Sequence, residues 1–276
     1  MCCSWLISLL FLASLGISHA QDGVKCDDIF EFSYAQWGKM KNVRYRSSKI
    51  ERQDGEMVTA SFDFTIQPTP FKAAGRMRDK GHYILYDTEQ STEEAIYISN
   101  GFPFTNLSLD IHGKVFRGLN HYTISDAGCN FIFGIIRDQY EIIGEKFQCY
   151  RVVRKGNEEL VVEASADDWG YREYVAEEGE NVLDIASKFS ISAYLIIEHN
   201  EDVDQYLDDC GGKQLKLPIF YGKHIKLHVD ADHGLPMLIQ VYDEKGLLEQ
   251  YEYADYQFNV VLPKDYFTVD HLDKLD

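Results

Sequence analysis

A chain of 276 residues that is 45% hydrophobic and 13% aromatic can bury a sizeable core, as one large domain or two modest ones. Its formal net charge of −18 argues against nucleic acid and anionic lipid headgroups as partners, since both call for a basic face.

Residues 1–20, MCCSWLISLLFLASLGISHA, hold an apolar run from Trp5 to Gly16 that is too short to span a bilayer, and they end on Ser18-His19-Ala20, a small-x-small cleavage pattern. The expectation is a secretory signal cut after Ala20 and a periplasmic destination. Gln21 follows where a lipoprotein would need cysteine, and no other stretch is long and apolar enough to cross a membrane. Four cysteines then remain, Cys26, Cys129, Cys149 and Cys210. They allow three disulfide connectivities, and each cysteine reads equally well as a small buried hydrophobe. With no CxxC spacing, redox chemistry has no support.

Behind Asp27-Asp28, which can cap a helix start, Phe30, Tyr34 and Trp37 recur at i, i+4 and i+7. Residues 27–41 are therefore predicted as an amphipathic helix covering one face of a sheet. Val43 to Arg52 alternates weakly. After the Asp54-Gly55 turn, Val58, Ala60, Phe62, Phe64 and Ile66 alternate strictly with polar residues, which predicts a hairpin. Further strands are expected at Phe71 to Arg78, Tyr83 to Tyr86, Ala95 to Ser99 and Phe104 to Ile111. Gly113 to Asn120 reads as a connection. Ile124, Ala127, Phe131, Gly134 and Ile135 then repeat at helical spacing up to about Tyr140, a second helix expected to plug the sheet. Strands resume at Lys146 to Arg154 and Leu160 to Ala164.

Tyr174 to Pro218 differs from its flanks. Val182, Leu183, Ile185, Ala186 and Phe189 recur at helical spacing, Ala193 to Ile197 form a second apolar run, and short strand patterns stand on either side. The order strand, helix, helix, strand, the Gly179-Glu180-Asn181 turn, Asn200 closing the second helix and a final Gly-x-x-Leu-x-Leu-Pro resemble a LysM module. That resemblance implies a shallow groove for N-acetylglucosamine or peptidoglycan glycan, carried here by Gly179, Glu180, Asn181, Val182, Asn200 and Glu201. This sequence departs from the family at Glu180-Asn181, Glu201 and Lys213, where Asp-Thr, Pro and Gln are usual. Residues 172–218 hold eleven Asp or Glu against four Lys or Arg, a net of −7, so a ligand there should be neutral or cationic. A degenerate module serving as a spacer is the alternative.

Strand patterns return at Ile225 to Val229, Leu238 to Tyr242 and Leu247 to Tyr253, on the far side of this helical block. The chain is thus read as an α+β protein: a curved antiparallel half-barrel sheet wrapped on helices, residues 21–170 and 221–276, with a βααβ insertion at 171–220. The stretches PFKAAGRMRDKGHYILY, FPFTNLSLDIHGKVFRGLNHYTISDAGCNFI and LPMLIQVYDEKGLLEQYEYADYQFN resemble an uncharacterised family of exported bacterial proteins, best known from Bacteroidetes. Its sheet is similar to the half-barrel of the lipoprotein carriers LolA and LolB, which implies an apolar concave face able to hold a lipid or acyl chain.

No HExxH, GxSxG, P-loop, dinucleotide-binding glycine pattern or zinc spacing is present. His224 and His228 lie four apart on a strand, about 13 Å along one face, too far to share one ion, and they read as a polar outer face. Asp230, Asp232 and His233 read as a turn. Asn120-His121-Tyr122, before the second helix, can face a ligand headgroup or serve as packing, the latter being preferred. Glu177-Glu178 and Asp208-Asp209 read as solvated loops. The expected function is non-catalytic and cofactor-free: an envelope binding protein with Phe62, Phe64, Ile66, Tyr83, Tyr97 and Phe104 lining an apolar site. An envelope interaction protein with a filled sheet is the alternative, and a glycan hydrolase lacks a marked carboxylate pair.

Overall fold

The computed structural model describes residues 23–99, 106–128 and 130–274; the N-terminal stretch expected to be a signal, Phe104 and Cys129 lie outside them. Helix α1 (Cys26–Trp37) leads into strands β1 (Val43–Gln53), β2 (Glu56–Gln67), β3 (Lys72–Met77), β4 (Tyr83–Asp87), β5 (Glu94–Ile98) and β6 (Leu107–Asp110). A 3-10 turn at Ile124–Asp126 precedes α2 (Asn130–Ile143), followed by β7 (Phe147–Arg154) and β8 (Asn157–Ser165). Next come β9 (Tyr171–Val175), α3 (Val182–Phe189), α4 (Ala193–Glu198) and β10 (Gln214–Pro218). Strands β11 (His224–Asp230), β12 (Pro236–Asp243) and β13 (Gly246–Phe258) and the short α5 (Val269–Leu272) complete the chain.

Eleven strands form one open, curved antiparallel sheet in the order β6-β5-β4-β3-β2-β1-β13-β12-β11-β8-β7, while β9 and β10 pair separately. The β1–β2 hairpin closes on Asp54 and Gly55, at φ 49° and 81°. Those left-handed values match the two-residue turn whose twist suits a hairpin, which explains the Asp-Gly pair. The strand, helix, helix, strand order expected between Tyr174 and Pro218 is present. Ser165 of β8 stands directly opposite His224 of β11 in the ladder, so the chain leaves the sheet for this βααβ segment and re-enters it at the same rung.

Both main helices lie on one face. Ile29, Phe30 and Trp37 of α1 and Ile132, Phe133 and Ile136 of α2 pack with Val43, Ile66, Val162, Leu227 and Ile239 in one apolar core. The helix starts ahead of the expected cap at Asp27-Asp28. Lys25 is the N-cap, without a side-chain bond, and the two aspartates sit in the first turn, where they complement the helix dipole. The second helix likewise begins later than its apolar period suggests, because Ile124 belongs to the 3-10 turn that precedes it. The opposite face of β3 to β5 is covered by the C-terminal segment, with Ala74, Tyr83, Leu85 and Ile98 packed against Tyr266, Phe267 and Leu272. The βααβ segment has a third core around Val182, Ile185, Ile196, Tyr206, Leu215 and Leu217.

Among the described cysteines, Cys26 is bonded to Cys149, tying α1 to the edge strand β7 across 123 residues of sequence, while Cys210 is free and buried. Closing a loop of that length removes chain entropy from the unfolded state equivalent to roughly 4–5 kcal/mol. A Cys26→Ala/Cys149→Ala variant should unfold at lower urea by about that free energy, and a non-reducing peptide map should contain the 26–149 link.

Candidate functional site

Helices α1 and α2 do not cover the whole concave face. Register pairs Phe62 with Met77, Phe64 with Gly75 and Ile84 with Tyr97, so all six share the helix-bearing side of the sheet. Phe62, Phe64, Met77, Ile84 and Tyr97 remain half-buried, and the Phe62 and Phe64 rings stack at 5.4 Å between centroids. Gly75 makes room for this: a Cβ there would come within 2.5 Å of the Phe64 ring. The result is an aromatic strip beyond the helices. Of the predicted lining residues, Phe62, Phe64 and Tyr97 belong to the strip. Ile66 does not, being fully buried in the core beside Trp37. Tyr83 points to the opposite face, under Tyr266 and Phe267.

Where β1 and β13 meet, Glu51 and Glu249 face each other directly across the ladder, 1% and 0% exposed. Two opposed carboxylates in an apolar setting require cations and donors. Glu51 receives Lys49 Nζ at 2.8 Å and the Tyr251 hydroxyl at 2.6 Å. Glu249 receives the Tyr122 hydroxyl at 3.1 Å and a short bond from Tyr221. Its other oxygen lies 2.6 Å from Nδ1 of His121, a residue 2% exposed. His121 Nε2 lies 2.9 Å from the Arg52 carbonyl. A carboxylate and a carbonyl both only accept, so both ring nitrogens donate and His121 is an imidazolium. Burial opposes its charge, but the Glu249 bond and the Glu51 and Glu249 charges prevail and raise its pKa. For Glu51, burial is likewise outweighed, by the Lys49 and His121 charges, and its pKa is lowered.

This network holds the βααβ segment in place. Tyr194 of α4 stacks on the His121 ring at 4.3 Å and its hydroxyl accepts from the Asp54 amide at 3.0 Å. Arg52, 5% exposed, bonds Asp243 on one side and Glu198 of α4 on the other, the latter at 3.1 Å. His121 thus packs, as preferred, but as a buried cation.

Beside the network, a cleft of about 430 Å³ opens between α2, residues 112–126 and helices α3 and α4. Its polar lining includes Arg117, His112 and Asp126. Arg117 is 3% exposed, donates to His112 Nδ1 at 3.0 Å and lies 3.7 Å from the centre of the Tyr206 ring. Because arginine only donates, His112 carries its proton on Nε2. Burial and the Arg117 charge lower the His112 pKa, and burial raises that of Asp126, so a neutral imidazole faces a fixed guanidinium.

In the βααβ segment, the polar groups expected at a glycan groove are used internally. Asn181 caps α3 by accepting from Leu183 and Asp184, and Asn200 bonds Ile196, and Lys216 twice, across to β10. Glu180 accepts from Tyr174 at 2.6 Å and Lys188 at 2.9 Å, which hold its carboxyl down at about 2. Gly179 takes φ 81°, Val182 is core and Glu201 is exposed. Glu177, read as solvated, also pairs with Lys188, at 2.7 Å. On β11, His224 meets Glu163 at 2.8 Å, whereas His228 is buried rather than solvated, 2.7 Å from a Glu159 oxygen that Arg154 also binds. Asp230 accepts from the amides of Asp232 and His233, a turn as read. Among the described residues no group of three His, Cys, Asp or Glu side chains is placed to hold a metal ion, and no helix is long and apolar enough to cross a membrane.

Sequence reasoning missed Glu51, Arg52, Asp243 and Glu249 because a charged residue in a strand pattern ordinarily marks its solvated side. One signal was available: Glu249 stands in phase with Tyr251 and Tyr253, whose alternation points inward.

No family model and no curated protein matches the chain. Among solved structures it is similar to a DUF1329 family protein from Desulfovibrio piger (9% identity, 89% of this chain and 98% of that one, TM-score 0.34). It is also similar to a LolA superfamily protein from Nitrosomonas europaea (9% identity, 90% and 100%, TM-score 0.33) and to the lipoprotein LppX of Mycobacterium tuberculosis (8% identity, 87% and 99%, TM-score 0.40).

Replacing Arg52 with Met strips the cation from buried Asp243 and from Glu198, and unfolding in urea should show a loss of about 3–5 kcal/mol. The raised pKa of His121 gives a pH dependence of definite sign. Its contribution is complete below the unfolded value near 6.5 and is lost as pH rises through the folded value, by up to about 1.4 kcal/mol per pH unit. The stability difference between wild type and His121→Gln should therefore shrink with rising pH above that point; a constant difference would show that the ring is neutral.

Proposed function

We propose that this protein is a non-catalytic binding protein of the bacterial cell envelope that receives an apolar chain, an acyl group or the lipid part of a lipoprotein, on its half-barrel. The aromatic strip of Phe62, Phe64, Ile84 and Tyr97 is the observation that carries this reading. Half-exposed stacked aromatics on a sheet face whose other half is filled by helices offer a bounded apolar surface with a polar rim. The Cys26–Cys149 bond supports an oxidising, extracytoplasmic location. The network acids are tied to fixed cations and donors, which supports binding over catalysis.

Contact with peptidoglycan glycan through the βααβ segment stays within the proposal in a narrower form. With Glu180, Asn181 and Asn200 bonded internally, a neutral sugar would meet backbone groups and Glu201 rather than those side chains. A second reading, in which the segment is a spacer or protein contact, is favoured by that same satisfaction and by its docking through Arg52 and Tyr194.

Native mass spectrometry of protein purified from cells under lipid-retaining conditions should show an adduct of acyl-chain mass, and Phe62→Asp should reduce it at least tenfold while the fold is retained. A clean apo mass would remove the carrier reading. In the same preparation, pelleting with peptidoglycan sacculi supports the glycan contact, and its absence leaves the spacer.

A further inference from the structure

On the face of the sheet opposite α1 and α2, a cavity of about 1000 Å³ lies between β1, β2, β3 and the C-terminal segment. Alternation aims Arg44, Arg46, Thr65, Ala74 and Arg76 at this side. The roof is Tyr266 and His271, pinned by a 2.8 Å bond between the Tyr266 and Thr65 hydroxyls. Three guanidinium groups on one cavity are unusual in a chain of net charge −18. Arg46 is already answered. Arg46 binds Asp255 at 2.8 Å, and Asp63 is shared between Arg46 at 3.6 Å and Arg78 at 2.9 Å. Arg76 lies 5.8 Å from the centre of the Tyr83 ring.

Arg44 differs. Among the described residues no carboxylate lies within ion-pair distance of it, its buried Nε has no hydrogen-bond partner, and its guanidinium sits 5.1 Å over the Tyr266 ring. A desolvated guanidinium donor without an acceptor is costly, and its planar fork matches a carboxylate or phosphate.

The geometry points to a second binding site here, for an organic anion: a carboxylate or phosphate monoester whose charged end is held by Arg44 beside Arg46 and Arg76, and whose body stacks on Tyr266. The volume is far larger than an inorganic ion needs and falls in the range of small-molecule sites. This site is separate from the concave strip, since it occupies the other face of the same strands and selects charge rather than apolar length.

Isothermal titration calorimetry of the intact protein with phenyl phosphate, inorganic phosphate and benzyl alcohol tests it. Phenyl phosphate should bind, more weakly as salt is added, and benzyl alcohol should give no heat. Arg44→Gln should weaken phenyl phosphate about tenfold or more, and Arg44→Lys, which keeps the charge but loses the fork, by a smaller factor. Circular dichroism melting of each variant confirms that it is folded. Inorganic phosphate binding as tightly as phenyl phosphate would identify a free anion as the ligand of the same site. Silence with both anions, binding of benzyl alcohol equal to that of phenyl phosphate, or an Arg44→Gln isotherm superimposable on wild type would each overturn the assignment.

Discussion

Two carboxylates, Glu51 and Glu249, are driven together by the register of β1 against β13 in a place almost without water. Everything at the centre of the molecule follows from that opposition. Neither acid can be ionised there without cations and donors, and the groups that answer them are both local and distant in the chain: Lys49 from β1 itself, but His121 and Tyr122 from the connection before α2 and Tyr221 from the start of the return to the sheet. An apolar replacement would pack those strands as well and could be more stable, since desolvating ions offsets much of their attraction. What the ions add is direction. A hydrogen-bonded imidazolium accepts one orientation, and by accepting it His121 presents a flat charged ring on which Tyr194 stacks. One of the contacts that hold the βααβ segment thus depends on how a buried ring is oriented.

The sheet divides its labour along its width. At the β7, β8, β11 and β12 side the concave face is filled by α1 and α2, with the disulfide fastening the first helix to the edge. At the β2 to β5 side the same face is bare enough to leave Phe62, Phe64 and Tyr97 half-buried, while the reverse face is covered by the C-terminal segment. A single sheet therefore carries a solid half and a half with layers on alternate sides. The aromatic strip falls in the second half and the anion cavity at its border with β1, where covering elements are thin and the strands contribute their own side chains.

Much of this was legible in the order of residues. Strict alternation in β2 and β11, the Asp54-Gly55 turn and the helical spacing around Ile185 each located an element correctly, because amphipathic periodicity is a local consequence of one buried face. What periodicity does not carry is which layer covers which face. The Tyr-Ile-Leu-Tyr of β4 is buried on both sides, so alternation gave no face for Tyr83. Ile66 continues the phase of Phe62 and Phe64 but lies two residues further along, beneath Trp37. His228 does stand on the outward phase of β11, as its neighbours suggested, yet Arg154 and Glu159 close over it. The network was hidden for a related reason: Glu51 and Arg52 look like any exposed hairpin end until β13 and α4 are brought beside them by tertiary structure.

The rung shared by Ser165 and His224 has a mechanical corollary. A load applied to the βααβ segment reaches the sheet at the end of the β8–β11 ladder, where a pull that parts the two strands opens their backbone hydrogen bonds in succession like a zip. Arg52 and Tyr194 offer a second route for the same load, into β1 and Asp243 of β12 near the middle of the sheet, where many bonds must shear together. A pull on this segment is therefore shared between those side chains and the strands from which it emerges.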